Sequence, residues 1–186
     1  MDSVAIFTRQ VLSRSNDHKR AMQLLATANI PSQMIAILRQ ELDSMVRVIY
    51  LLAQEPARRR ILIEASVNGQ QWQQSSGRGR VTDREMVELA QELQGWTRSV
   101  YKFGCAFIHL SNLHDYNDRD PMQLLVIEDC EAIISHCRFY HGGPEHSSFT
   151  DLLPYLPMVL DKVSGNLEYY LEQLPEEVTR RPDEIW

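Results

Sequence analysis

The sequence has only three cysteines, and it lacks both a long hydrophobic run and any sustained apolar–polar alternation. Cys130 and Cys137 lie two turns apart on one predicted helix, about 10 Å and too far to bridge. The odd count and this spacing argue against a disulfide framework and favour a reducing cytoplasm. No segment approaches the roughly 20 apolar residues of a membrane span. The first residues also lack the basic and apolar regions of a signal peptide. We therefore expect a cytoplasmic protein without a membrane segment.

Familiar catalytic motifs are also missing from the sequence. It contains no glycine-rich phosphate loop, no Cys-x-x-Cys pair, no His-Glu-x-x-His and no Gly-x-Ser-x-Gly. We expect neither a metal nor a cofactor. The formal net charge of −6 excludes a uniformly basic nucleic-acid-binding protein, so contact with RNA or DNA requires a local basic patch.

The hydrophobic periodicity predicts an all-α protein. Apolar residues recur at spacings of three and four from Pro31 to Leu52, which indicates one amphipathic helix. Pro56 begins a shorter helix, and a first helix upstream is predicted to be disturbed near Ser15. The 186 residues fit one domain. We expect a single domain over residues 1–186, built as an antiparallel bundle of five to six helices.

The second half of the chain continues this pattern after a change of composition. Residues 68–80 are predicted to form a mobile loop. A helix follows from the capping box at Thr82 to about Asp115, and another runs from Pro121 to its end at Gly142. A last helix has its apolar seam from Leu153 to Leu174, and residues 175–186 form a charged tail.

Lys102 and His109 form the first candidate site. They are seven residues apart and nearly eclipsed on a continuous helix, and Arg98 and Asn112 fall on the same side. An imidazole that moves a proton, next to a cation that stabilises charge on phosphorus, is suited to phosphate chemistry. The alternative is a solvated helix flank with an incidental histidine.

His114 and His141 continue the apolar seams of their helices. Their positions predict histidines that are packed and hydrogen-bonded at the rim of the core. If the two helix ends approach each other, His109 and His114 form one site together with Arg138 and His141.

Two metal-binding alternatives have weaker support in the sequence. The His114-Asp115 pair resembles the metal-binding pair of HD-domain phosphohydrolases, but the family's other histidine has no counterpart at a suitable spacing. A structural zinc site would lack paired-ligand spacing. Its candidate ligands are His136, Cys137, His141 and His146.

A basic segment gives the second candidate site. Arg78, Arg80 and Arg84 lie in or beside the predicted loop, which also carries Trp72. Such a loop can follow a nucleic-acid backbone by charge and stack a base on its aromatic ring. The alternative is an ordinary solvated, charged face.

One region resembles a known family. It comprises the segment Lys102-Phe-Gly-Cys-Ala-Phe-Ile-His109-Leu-Ser, then His114-Asp-Tyr, Asp120-Pro121 and Tyr140-His-Gly-Gly. This region resembles the HEPN superfamily (higher eukaryotes and prokaryotes nucleotide-binding) over about residues 82–174. The resemblance implies an antiparallel helical bundle, commonly a homodimer with its active sites at the subunit interface.

The resemblance also implies a function. Many HEPN proteins are metal-independent endoribonucleases that act as toxins or antiviral effectors, while others only bind nucleotides or protein partners, here an antitoxin or a defence component. The family's ribonucleases usually carry an arginine and a histidine with four to six residues between them, and no arginine of this sequence has a histidine at that spacing. Lys102, with six residues between it and His109, is the nearest match. We therefore expect a metal-independent endoribonuclease, in which the resemblance implies that His109 is the general acid or base and that Lys102 stabilises the phosphate charge of an RNA substrate. The alternative is a non-catalytic module that binds a nucleotide or a protein partner.

Overall fold

The computed structural model describes residues 2–175 and confirms an all-α helical bundle. The charged tail predicted for residues 175–186 lies outside the described residues except for Pro175. The α-helices are α1 (Ser3–Thr27), α2 (Pro31–Leu52), α3 (Pro56–Val67), α4 (Asp83–Gln94), α5 (Thr97–Ile108), α6 (Ile127–His141), α7 (Phe149–Leu152) and α8 (Leu156–Gln173). Short 3-10 turns cover Asn112–Asp115, Pro121–Leu124 and Leu153–Tyr155.

Helix α2 forms the centre of the bundle. Fourteen of its 22 residues are buried, because α1, α3, α4, α5 and α8 all pack against it. Its long apolar seam supplies much of the core, including Leu42, Met45 and Ile49. Burial of such side chains contributes about 1.5–3 kcal/mol each. The other helices are therefore positioned mainly by their contacts with α2.

The predicted disturbance of the first helix near Ser15 is wrong, since α1 is continuous. Ser15 is buried, and its hydroxyl donates to Oε1 of Glu41 on α2. His18, one turn further along α1, places Nδ1 2.6 Å from Glu41 Oε2. The polar residues that weaken the apolar pattern of α1 thus satisfy a fully buried carboxylate.

The helix predicted from Thr82 to Asp115 is also wrong, because it breaks twice. The capping box at Thr82 forms as expected, but Gly95 has φ 74°, a left-handed conformation that ends α4. A new helix, α5, begins at Thr97 and ends at Ile108. With this division the described residues contain seven helices longer than ten residues.

A close contact fixes α5 against α2. A Cβ atom at Gly104 would lie 2.6 Å from Cβ of Arg39, so only glycine permits this separation of the helices. The Arg39 guanidinium then stacks on the ring of Tyr101, 3.9 Å from its centroid, and pairs with Asp43. The same face of α5 is therefore directed into the core at Phe103 and Phe107.

Helix α6 lies at the periphery and runs antiparallel to α5. Lys102 on α5 contacts Asp129 near the start of α6, and Ser99 near the start of α5 lines the same cleft as Tyr140 near the end of α6. Only Ile134 and Cys137 of α6 are buried. None of the helices in residues 2–175 combines the length and apolarity needed to cross a membrane.

The Glu41 cluster makes stability dependent on pH. Burial alone raises the pKa of the Glu41 carboxyl, but hydrogen bonds from His18 and Ser15, with smaller contributions from the His18 charge and Ser164, lower the pKa below its ordinary 4.5. A carboxyl with a lowered folded-state pKa stabilises the fold above its unfolded pKa, and this contribution is lost as the pH falls through the folded-state pKa.

We therefore predict that Glu41→Gln lowers the free energy of unfolding by about 3 kcal/mol at pH 6. The difference in the free energy of unfolding between Glu41→Gln and the wild type should become smaller as the pH falls below 4.5. Urea denaturation at several pH values measures both effects. Glu131→Gln, at an exposed carboxyl, is the control and should shift stability by less than about 0.5 kcal/mol. A gap that stays constant with pH would contradict this account.

Candidate functional site

Helix α5 is shorter than predicted. It ends at Ile108, and His109 is its C-cap with φ −97° and ψ 145°. The backbone N–H of His109 still donates to the carbonyl oxygen of Cys105 at 3.1 Å, so the chain leaves the helical path only after His109. Both side chains, Lys102 and His109, are exposed. The prediction of a helix reaching Asp115 was wrong, which removes Asn112 from the helix, while the shared face of Lys102 and His109 stays a prediction.

The two predicted cations of α5 have acidic partners. Lys102 Nζ lies 3.0 Å from Oδ1 of Asp129. Arg98 makes a two-point contact with Glu88, its Nε donating to Oε1 at 3.2 Å. Arg98, and to a smaller extent Arg84 and Lys102, lower the pKa of Glu88. Glu88 thus lies under the influence of three cations.

The His114 segment forms a 3-10 turn instead of a helix end. Nδ1 of His114 accepts from the backbone amide of Ser111 at 3.3 Å, and its ring lies 5.5 Å from that of Phe107. The prediction of a half-buried histidine hydrogen-bonded at the core rim fits this placement. Asn112 and Asp115 in the same turn are exposed.

Arg138 and His141 lie far from His109 and His114. They occupy the C-terminal end of α6, whereas His109 and His114 follow the C-terminal end of the antiparallel α5. Twelve helical residues span about 18 Å, so the two helix ends do not approach each other as a single four-residue site would require. Arg138 instead donates to the carbonyl oxygens of Pro144 and Glu145, at 2.7 and 2.5 Å.

Trp72 belongs to the core, which corrects its predicted role in stacking on a nucleic-acid base. Its side chain is 4% exposed, its Nε1 donates to Ser66 Oγ at 2.8 Å, and its ring stacks on Tyr50. Loop composition suggested exposure, but an indole is large enough to anchor a polar loop to the bundle. No face of the ring is left for a base.

The three arginines of the basic segment are exposed. Arg80 pairs with Gln73 in an isolated antiparallel bridge that closes the turn containing Arg78. Arg84 follows in the first turn of α4. Across residues 2–175, no carboxylate lies within ion-pair distance of these three side chains, so their charges face solvent.

The metal alternatives receive no structural support. No group of three or more His, Cys, Asp and Glu side chains in the described part of the chain is arranged to hold a metal ion. The four zinc candidates therefore do not converge there. His114 and Asp115 differ in burial and share no ligand geometry.

An apolar cleft between α5, α6 and α8 was missed by the sequence reasoning. We call it the α6 cleft. It has a volume of about 60 Å³, against roughly 10–15 Å³ for one water by the same measure. Its apolar walls are formed by Leu38, Trp96, Val100, Phe103, Ile133, Cys137, Tyr140, Leu152, Leu156 and Val159.

Three basic side chains, His136, His141 and Lys162, line the α6 cleft. Nζ of Lys162 lies 4.0 Å from the centroid of the Tyr140 ring, and Nδ1 of His136 is buried without a hydrogen-bond partner. Burial lowers the pKa of His136 and of Lys162, and burial with the Lys162 charge lowers the pKa of His141. Lys162 gave no signal in the sequence, since only tertiary packing brings α8 to α6.

A second apolar surface is fully exposed. Because α5 and α6 are antiparallel, the end of α5 and the start of α6 lie at the same end of the bundle. Four aliphatic side chains are exposed there, which we call the aliphatic end: Ile108, Leu110, Val126 and Ile127. Leu110 is 94% and Ile127 72% exposed. An exposed apolar cluster of this kind is typical of a surface that another molecule covers.

Comparison of the chain with protein-family profiles, with curated proteins and with solved structures finds no match.

Proposed function

We propose that the protein is a HEPN-like binding module without catalytic activity, and that it binds a protein partner at the aliphatic end. The observation that carries this proposal is the cluster of four exposed aliphatic side chains where α5 ends and α6 begins. Desolvation of such side chains is the main source of affinity in protein interfaces.

Charge next to the aliphatic end indicates the kind of partner. Glu128 and Glu131 are exposed on the first two turns of α6. An apolar surface beside acidic side chains is complementary to an amphipathic segment with leucines on one face and lysines or arginines beside them. The expected partner is therefore another protein that carries a basic amphipathic helix. An antitoxin or defence component that binds here would need such a helix.

The candidate catalytic residues support binding over catalysis. Lys102 is paired with Asp129 and Arg98 with Glu88, so neither cation can hold a phosphate without giving up its carboxylate. The three cysteines are free thiols, which supports our proposal of a cytoplasmic location.

A synthetic peptide of leucine and lysine in helical amphipathic order is the probe for this proposal. We predict saturable binding by fluorescence anisotropy, weakened by about tenfold or more in the double variant Leu110→Asp, Ile127→Asp. Leu24→Asp, at a side chain 73% exposed on α1, should bind like the wild type. A matching leucine and glutamate peptide should bind weakly.

Two results would overturn the partner proposal. Equal binding by the wild type and the double variant would remove the aliphatic end from the interaction. Sedimentation showing a wild-type dimer that the double variant abolishes would assign this surface to a second copy of the chain. That outcome is the homodimer implied by the HEPN resemblance.

The second candidate function is a metal-independent endoribonuclease that acts as a toxin or antiviral effector. It is favoured by the exposed cations Arg84, Arg98 and Lys102 around Glu88, together with exposed His109 beyond the end of α5. In this scheme Arg78 and Arg80 contact the RNA backbone, and His109 transfers the proton from the attacking 2′-hydroxyl.

For this candidate we predict RNA cleavage by the purified protein in excess chelator. His109→Ala should lower the rate at least 100-fold, and His146→Ala, at an exposed histidine outside the site, should leave it unchanged. Gel analysis of a labelled RNA measures the rate. Absence of cleavage, or cleavage unaffected by His109→Ala, would eliminate the ribonuclease.

A further inference from the structure

The α6 cleft has no part in either candidate function. It lies near the C-terminal end of α6, whereas the aliphatic end lies at the opposite end of the helix. We propose that the α6 cleft binds a small carboxylate with an aryl or branched alkyl group, whose apolar part fills the cleft while its carboxylate pairs with Lys162.

The walls of the cleft select the apolar part of this ligand. Aromatic and aliphatic side chains from three helices face the space, including Trp96, Phe103 and Val159. Ligand sites of this kind combine an apolar lining with a few placed polar groups. Transfer of a hydrocarbon group from water into the cleft is therefore favourable.

The charges at the cleft select a carboxylate. Lys162 rests on the ring of Tyr140, and no described carboxylate lies within ion-pair distance of its Nζ. The other ionisable side chains that face the cleft are His136 and His141, which carry either no charge or a positive one, and the thiol of Cys137 and phenol of Tyr140. An anion supplies the missing partner, whereas a cation would be repelled.

A second unmet polar group lies in the same cleft. Nδ1 of His136 is buried and makes no hydrogen bond in the described structure. A buried polar atom without a partner costs about 1–3 kcal/mol. A carboxylate held by Lys162 would offer an acceptor oxygen to the imidazole N–H, so one ligand group satisfies both side chains.

The size of the cleft limits the ligand. Its volume of about 60 Å³ corresponds to a few water-sized units, which suits one phenyl ring or a branched chain of a few carbons. Nucleotides and long-chain fatty acids exceed this space. Phenylacetate and 3-methylbutanoate are suitable probes because each joins a compact apolar group to a carboxylate.

Nuclear magnetic resonance titration of the full chain with phenylacetate tests the proposal. We expect saturable shifts confined to cleft residues, with the imidazole signals of His136 and His141 among them. Phenylacetamide keeps the ring and loses the charge, and acetate keeps the charge and loses the ring. The affinity for each analogue should be lower than that for phenylacetate by a factor of about ten or more.

Lys162→Met removes the charge and keeps an apolar stem of similar length, so phenylacetate affinity should fall about tenfold or more. Lys19→Met changes one of the other two lysines of the sequence, on α1, and should bind as the wild type does. Val159→Phe fills the cleft from its wall and should abolish binding while the thermal unfolding temperature stays at or above the wild-type value.

Three results would overturn the proposal. They are absence of saturable shifts, equal affinity for phenylacetate and phenylacetamide, and unchanged affinity in both Lys162→Met and Val159→Phe. If Lys162→Met fails to fold, Val159→Phe and the two ligand analogues still decide the result. Failure here leaves the peptide-binding proposal unaffected, because the aliphatic end is probed with different residues.

Discussion

The burial of α2 around most of its circumference is the constraint on which the rest of the structure depends. A helix in this position must be apolar around most of its circumference, and each polar residue on it requires a partner from a neighbouring helix. Glu41 obtains partners from α1, through Ser15 and His18. Arg39 stacks on Tyr101 of α5, which approaches closely because position 104 is glycine. The polar residues of α2 thus fix the positions of its neighbours.

Helix α6 contrasts with α2 and carries the surfaces that remain for binding. It buries only two side chains completely, and its start and its end each border an apolar feature, the aliphatic end and the α6 cleft. A weakly packed helix can shift to admit a ligand at low cost. The stable part of the fold and the part suited to binding are therefore different helices.

The helical class, the start of α2 at Pro31 and the capping box at Thr82 were predictable because each depends on local sequence. The break at Gly95 was missed, since a glycine within an unbroken apolar seam is compatible with a continuous helix until tertiary contacts decide its conformation. The same assumption of one long helix placed Asn112 on the helix that carries Lys102, whereas Asn112 lies in a separate 3-10 turn. The role of Trp72 was predicted wrongly and Lys162 was overlooked, because the surroundings of both side chains come from distant segments of the chain.

Amide hydrogen exchange along the full chain tests most directly the claim that α2 holds the bundle together while α6 is loosely attached. We predict that amides of α2 exchange only through global unfolding and have the highest protection in the molecule. Amides of α6 should exchange through local opening at a clearly lower free energy. Equal protection of α6 and α2, or lower protection of α2, would contradict the account.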